Sequence, residues 1–205
     1  MKKTITAMIL LIALSLCLTA CGSGEVATLT DDAATQERPE IPVAKGEATV
    51  DAGDFTVTVP EGWLGAGDID FDEAGNTIIA TNYYLLIKGG ESADDQFNKP
   101  TLSIYYTPNK GARELLDSNM NSADENTEFT VAVGGKQCPA YHAVMDYTAE
   151  GEDPFVMEYD NVFIPVTDSS CFRLTMLTYV TSEGDTGIST ADEDVIAIME
   201  SLKAN

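Results

Sequence analysis

His142 is the one histidine in the 205-residue chain, so imidazole acid–base chemistry near neutral pH falls to it. It sits in CPAYHAVMDY, where strand alternation puts His142, Val144 and Asp146 on one face and Tyr141, Ala143, Met145 and Tyr147 on the other. His142 and Asp146 are then roughly 13 Å apart along an extended strand, too far for a direct hydrogen bond. No G-x-S-x-G pattern supplies a nucleophile elbow. The reading is a half-exposed strand histidine, and no residue is assigned a catalytic role. The expectation is that the chain is not an enzyme; the residual enzymatic reading is a hydrolase whose carboxylates are brought together only by folding.

Hard cations present a second chemistry. In DIDFDEAGN, Asp68, Asp70 and Asp72 stand at alternate positions, as the first three ligands of a calcium loop do. The match stops there: Glu73 occupies the position that needs glycine, and Ile79 the position that needs a bidentate acid. A solvated acidic loop and a non-standard calcium site are the alternatives, with no cofactor as the main expectation. Zinc is excluded by ligand supply, since one histidine and two distant cysteines do not make a site.

Cys138 and Cys171 remain once the amino-terminal cysteines are accounted for, and an even pair outside the cytoplasm invites a disulfide. If strands 137–147, 155–166 and 171–180 form a meander, one strand separates the two, at about 9.6 Å. The usual Cα limit is about 7 Å. A disulfide therefore needs a bend or another strand order; two separate buried thiols are the alternative.

Met1-Lys2-Lys3 followed by the apolar run Ile5 to Leu18 reads as an export signal, too short to span a membrane. Leu18-Thr19-Ala20-Cys21 resembles the bacterial lipobox. The resemblance implies cleavage between Ala20 and Cys21 and a diacylglycerol on Cys21, making membrane lipid the first partner. Residues 1–20 are thus expected to be signal, and 21–46 a lipidated cysteine followed by a flexible acidic tether, small and polar with Pro39 and Pro42 near its end. As a coil the tether reaches roughly 25 to 30 Å. The expected location is the outer face of the cell membrane.

Loss of Lys2 and Lys3 takes the formal charge from −23 to −25. Nucleic acid is excluded as a partner, because phosphate backbones require clustered Lys and Arg. Anionic headgroups and polymers are repelled by the body too, so a protein partner in the cell envelope, or a divalent cation, is the expectation.

Residues 47–205 read as a single domain. FTVTV, Phe55 to Val59, alternates strictly and is stopped by Pro60-Glu61-Gly62, after which Trp63 is expected in the core. TIIA and YYLLIK are separate apolar stretches after the acidic loop, TLSIYY follows, and NKGARELLDSNM suggests a short helix. Four antiparallel strands come next, the first two joined at Gly134-Gly135. Thr190 and Glu193 form a capping-box pattern ahead of the stripe Val195, Ile198, Met199 and Leu202.

FTVTVPEGW, GGKQCPAYHAV and DEDVIAIMESLK together resemble the PsbP/Mog1-like group. The resemblance implies an α+β fold, with a central antiparallel sheet of about six or seven strands flanked by helices as an α/β/α sandwich. It also implies a protein used for binding, with no catalytic residues to transfer. The functional expectation is a non-catalytic binding or scaffold lipoprotein, with cation or small-ligand binding as the alternative.

Overall fold

The computed structural model describes residues 43–71, 77–120, 125–149, 151, 153–181 and 184–205. The strands are β1 (Val43–Lys45), β2 (Ala48–Asp51), β3 (Phe55–Val59), β4 (Trp63–Phe71), β5 (Thr77–Lys88), β6 (Thr101–Thr107), β7 (Glu125–Val133), β8 (Lys136–Asp146), β9 (Phe155–Thr167), β10 (Ser170–Thr181), β11 (Gly184–Thr186) and β12 (Lys203–Ala204). Two helices, α1 (Ala112–Asn119) and α2 (Glu193–Ser201), and a 3-10 turn at Ala93–Phe97 complete the elements.

The large sheet runs β1-β4-β5-β6-β10-β9-β8-β7, with β11 on β10, and every pairing in it is antiparallel. After β6 the chain crosses by way of α1 to the far edge, then returns as the meander β7 to β10. Gly134 and Gly135 close the first hairpin at φ 55° and 78°, the left-handed values a two-residue turn requires. A second sheet, β12-β3-β2, lies against one face.

That covered face holds the main core. Phe55, Val57 and Val59 of β3 and Val195, Ile198 and Met199 of α2 pack with Tyr84, Leu86, Leu102, Ile104, Val162, Phe172 and Leu174 of the large sheet. Each such side chain, fully removed from water, contributes roughly 1.5 to 3 kcal/mol. Trp63 is among them at 1% exposure, as expected of a core residue. On the opposite face α1 packs through Ala112 and Leu116 against Tyr141, Ala143, Phe163 and Cys171, and Leu64, Leu85 and Ile87 form a further buried group.

The chain is a sheet-rich α+β domain. The large sheet has nine strands, not six or seven, because Trp63–Phe71 forms the strand β4 and the three-residue strands β1 and β11 join it. TIIA and YYLLIK are one strand, β5. Helices are fewer than a sandwich flanked by helices on both faces would have: a small sheet takes much of that role on one side. The last helix starts at Glu193 with Asp192 at its N-cap, two residues later than the Thr190 pattern suggests. Among the described residues no helix is long and apolar enough to cross a membrane.

Candidate functional site

Asp68 and Asp70 do not lie on a loop. They are ladder residues of β4, paired with Ala80 and Ile78, and this corrects the acidic loop expected for them. Asp72 lies outside the described residues, as do Ala20 and Cys21. Among the described residues no three His, Cys, Asp or Glu side chains are grouped to hold a metal.

Cys138 and Cys171 are both free and buried, so the disulfide considered for them is not formed. Strand β9 lies between β8 and β10, and the sulfurs belong to different cores, Cys138 under α2 and Cys171 under α1. Burial raises both thiols above their ordinary value, Cys171 to about 11.

His142 finds a carboxylate, but not Asp146. Its Nδ1 lies 2.9 Å from Asp160 Oδ1, on the residue directly opposite in β9. Asp146 instead accepts from the Thr148 amide at 2.8 Å, and hydrogen bonds from Thr148 hold its carboxyl below the usual range. A cross-strand partner is invisible to alternation within one strand, which is why Asp160 was missed. The pair orients an imidazole and brings no nucleophile with it.

The face that packs on α1 carries the less expected chemistry. Its residues run in rows across the strands: Tyr83, Tyr105, Arg173 and Phe163; then Leu85, Ser103, Thr175, Asn161 and Tyr141; then Ile87, Thr101, Leu177, Tyr159 and Ala143. The Arg173 guanidinium lies over the Tyr105 ring at 4.5 Å and donates to Asn119 Oδ1 at 2.9 Å, while its Nε is buried without an acceptor. Thr175 Oγ1 donates to Asn161 Oδ1 at 2.7 Å, and Ser103 shares a hydrogen bond with Tyr83 Oη at 3.3 Å. Arg173 and Asn161 stand inside apolar strand sequence, CFRLTML and DNVFI, and that interruption is the signal available without a structure.

From Tyr159 of the third row toward the end of the sheet where β8 and β9 are joined, the same face carries Tyr179, Met157 and Met145, and then Phe155 and Tyr147. Phe155 stacks with Tyr179 at 6.1 Å and lies 6.3 Å from Tyr147. Tyr147 and Tyr159 donate to Met145 Sδ at 3.4 Å and Met157 Sδ at 3.5 Å. Tyr147 and Phe155 are 47% and 40% exposed, high for aromatic rings that already have partners. From Gln137 to Phe172 the sequence contains no Lys or Arg, while the connection after Tyr147 carries Glu150, Glu152 and Asp153. The patch is apolar and aromatic, and the sequence that connects its two strands is acidic.

The fold defines a sheet-rich α+β domain, and one end of this face carries exposed aromatic rings. No protein-family model matches the chain, and no curated protein is significantly similar to it.

Proposed function

We propose that this chain is an exported lipoprotein, held on the outer face of the cell membrane through lipid on Cys21, whose domain is a non-catalytic binding module of the cell envelope. The observation that carries the binding role is the patch of Met145, Tyr147, Phe155, Met157, Tyr159 and Tyr179, in which Tyr147 and Phe155 are exposed. Aromatic and methionine side chains give large contact area and adapt to a partner, and they are enriched in interface cores. The acidic sequence between Tyr147 and Phe155 and the formal charge, −25 without Lys2 and Lys3, favour a partner that is apolar at the centre and basic at the rim. We also read the domain as PsbP/Mog1-like. Support comes from the meeting of FTVTV and the closing helix in one core.

The test places a photoreactive residue at Phe155 in the full chain, in its native membrane. A discrete cross-link is expected that weakens with salt and disappears in the Tyr147→Ser/Tyr179→Ser variant, while that variant melts like the wild type. Cross-links indifferent to both substitutions would remove the patch from the reading. Mass spectrometry of the amino terminus checks the anchor separately: an unacylated Cys21 would overturn that part.

A further inference from the structure

Two arginines of the described chain contrast in how they are satisfied. Arg113 takes two carboxylates, Asp117 at 2.7 Å and Glu128. Arg173 takes none among the described residues. Its Nη1 is used by Asn119, its Nε is buried without an acceptor, and no described residue accepts from its Nη2. Nε and Nη2 form one edge of the guanidinium, the edge a carboxylate occupies with two parallel hydrogen bonds. A buried donor left unmade costs about 1 to 3 kcal/mol, more when charged, so such groups are rare without a reason.

The neighbouring row has the same character. Thr175 follows Arg173 by two positions on β10, about 6.6 Å along the strand, and is flanked by Ser103 on β6 and Asn161 on β9. Asn161 is 5% exposed in a central strand, its Oδ1 is filled by Thr175, and its Nδ2 has no acceptor among the described residues. Central strands bury apolar side chains when their faces are covered by core. Here three adjacent central strands bring polar side chains to one place, and the groups left without partners are donors.

We propose that Arg173 and Asn161, with Thr175 and Ser103 beside them, form a binding site for a carboxylate ligand. The Tyr105 ring, 4.5 Å from the guanidinium carbon, supports the cation from one side. A carboxylate pairs with the Nε–Nη2 edge, and a second acceptor on the ligand reaches Asn161 Nδ2. A small shift of the side chain is required, because Nε is closed over as it stands. The long-range repulsion of a −23 protein is screened beyond about 8 Å at physiological ionic strength, so the local guanidinium decides the sign. This site lies toward α1 from the aromatic patch and stands independently of the partner reading above.

Nuclear magnetic resonance of the full chain in detergent, titrated with succinate, tests the proposal. The Arg173 Nε–H and Asn161 Nδ2–H signals are expected to shift together and saturate, with little response to equal concentrations of chloride or inorganic phosphate. Arg173→Lys keeps the charge but lacks the planar fork, and affinity is expected to fall at least about tenfold. Asn161→Asp exchanges a donor for a negative charge and should abolish the shift at Arg173. Ser103→Ala, the mildest change, keeps the fold readable should either variant unfold, and is expected to weaken binding without moving the melting temperature. Absent saturation, equal shifts with chloride or phosphate, or unchanged binding in folded Arg173→Lys would each overturn the proposal.

Discussion

Trp63 and Asp194 are joined by an indole N–H to carboxylate hydrogen bond of 3.1 Å between residues 131 apart in sequence. Lys88 completes the arrangement, with Nζ 3.3 Å from the same carboxylate oxygen and 5.7 Å from the centre of the Trp63 ring. The indole is buried, so its N–H must find an acceptor, and the first turn of α2 provides one. This bond fixes the closing helix to the strand that begins after Pro60-Glu61-Gly62. It also ties together two of the sequence stretches on which the PsbP/Mog1 resemblance rests.

Asp194→Ala is therefore expected to lower stability by about 1 to 2 kcal/mol, the range for stranding a buried donor, with the carboxylate's own exposure limiting the loss. The hydrogen bond from Trp63, and then Lys88, lowers the Asp194 pKa. Its contribution is thus present above the ordinary carboxylate pKa and is lost as pH falls through the lowered folded value. Urea melts of wild type and Asp194→Ala should converge toward that acid limit. Curves that keep a constant separation down to the lowest pH would show that the carboxylate's ionisation is not what the indole senses.

The two thiols give a second measurable outcome. In a chain beginning at Gly22, Cys138 and Cys171 should resist a thiol reagent at pH 8 and both react once urea is added, because burial removes access and suppresses the thiolate. A native mass two daltons below the reduced one would establish a bond that the strand order forbids.

How the sequence foreshadows this arrangement differs from strand to strand. The meander was legible because its turns are chemically explicit: Gly134-Gly135 permits left-handed backbone, and Cys138 faces the position of Ile164 by continuation of the observed ladder, as counting predicts. The next hairpin defeats counting. A register shift between Ser170 and Cys171 sets Ile164 opposite Phe172 instead of Arg173. A one-residue slip exchanges faces, which is how Cys171 comes to lie away from Cys138. β4 was hidden for another reason: aspartate disfavours strands, and only pairing with Thr77–Ala80, a tertiary fact, overrides that preference. On the candidate surface, Arg173 and Asn161 were visible as interruptions, but their adjacency depends on three strands being ordered β6-β10-β9.

His142 supplies a prediction that does not depend on function. An ionised Asp160 only accepts hydrogen bonds, so Nδ1 must carry the proton when the imidazole is neutral. Nitrogen chemical shifts of the neutral ring should report the Nδ1–H tautomer, and Asp160→Ala should return the ring to a mixture dominated by Nε2–H. Observation of Nε2–H in the wild type would break the pair.

Alkaline stability should be governed by two tyrosines. Tyr84 is fully buried between the sheets, and burial pushes its phenol from 10.0 up to about 12. Tyr159 is raised to about 12 by burial first and then by Tyr147 and Tyr179. A folded pKa above the unfolded one means that the unfolded chain releases its proton earlier. Stability is accordingly intact below pH 10 and falls as pH rises toward 12. For Tyr84 that displacement corresponds to a loss of about 3 kcal/mol across the window. Phenolate absorbance followed on the folded protein should show these two rings ionising last, and Tyr84→Phe should flatten the decline in denaturation midpoint between those pH values. If the variant declines as steeply as wild type, the strain at high pH comes from the general negative charge of the chain and not from this buried hydroxyl.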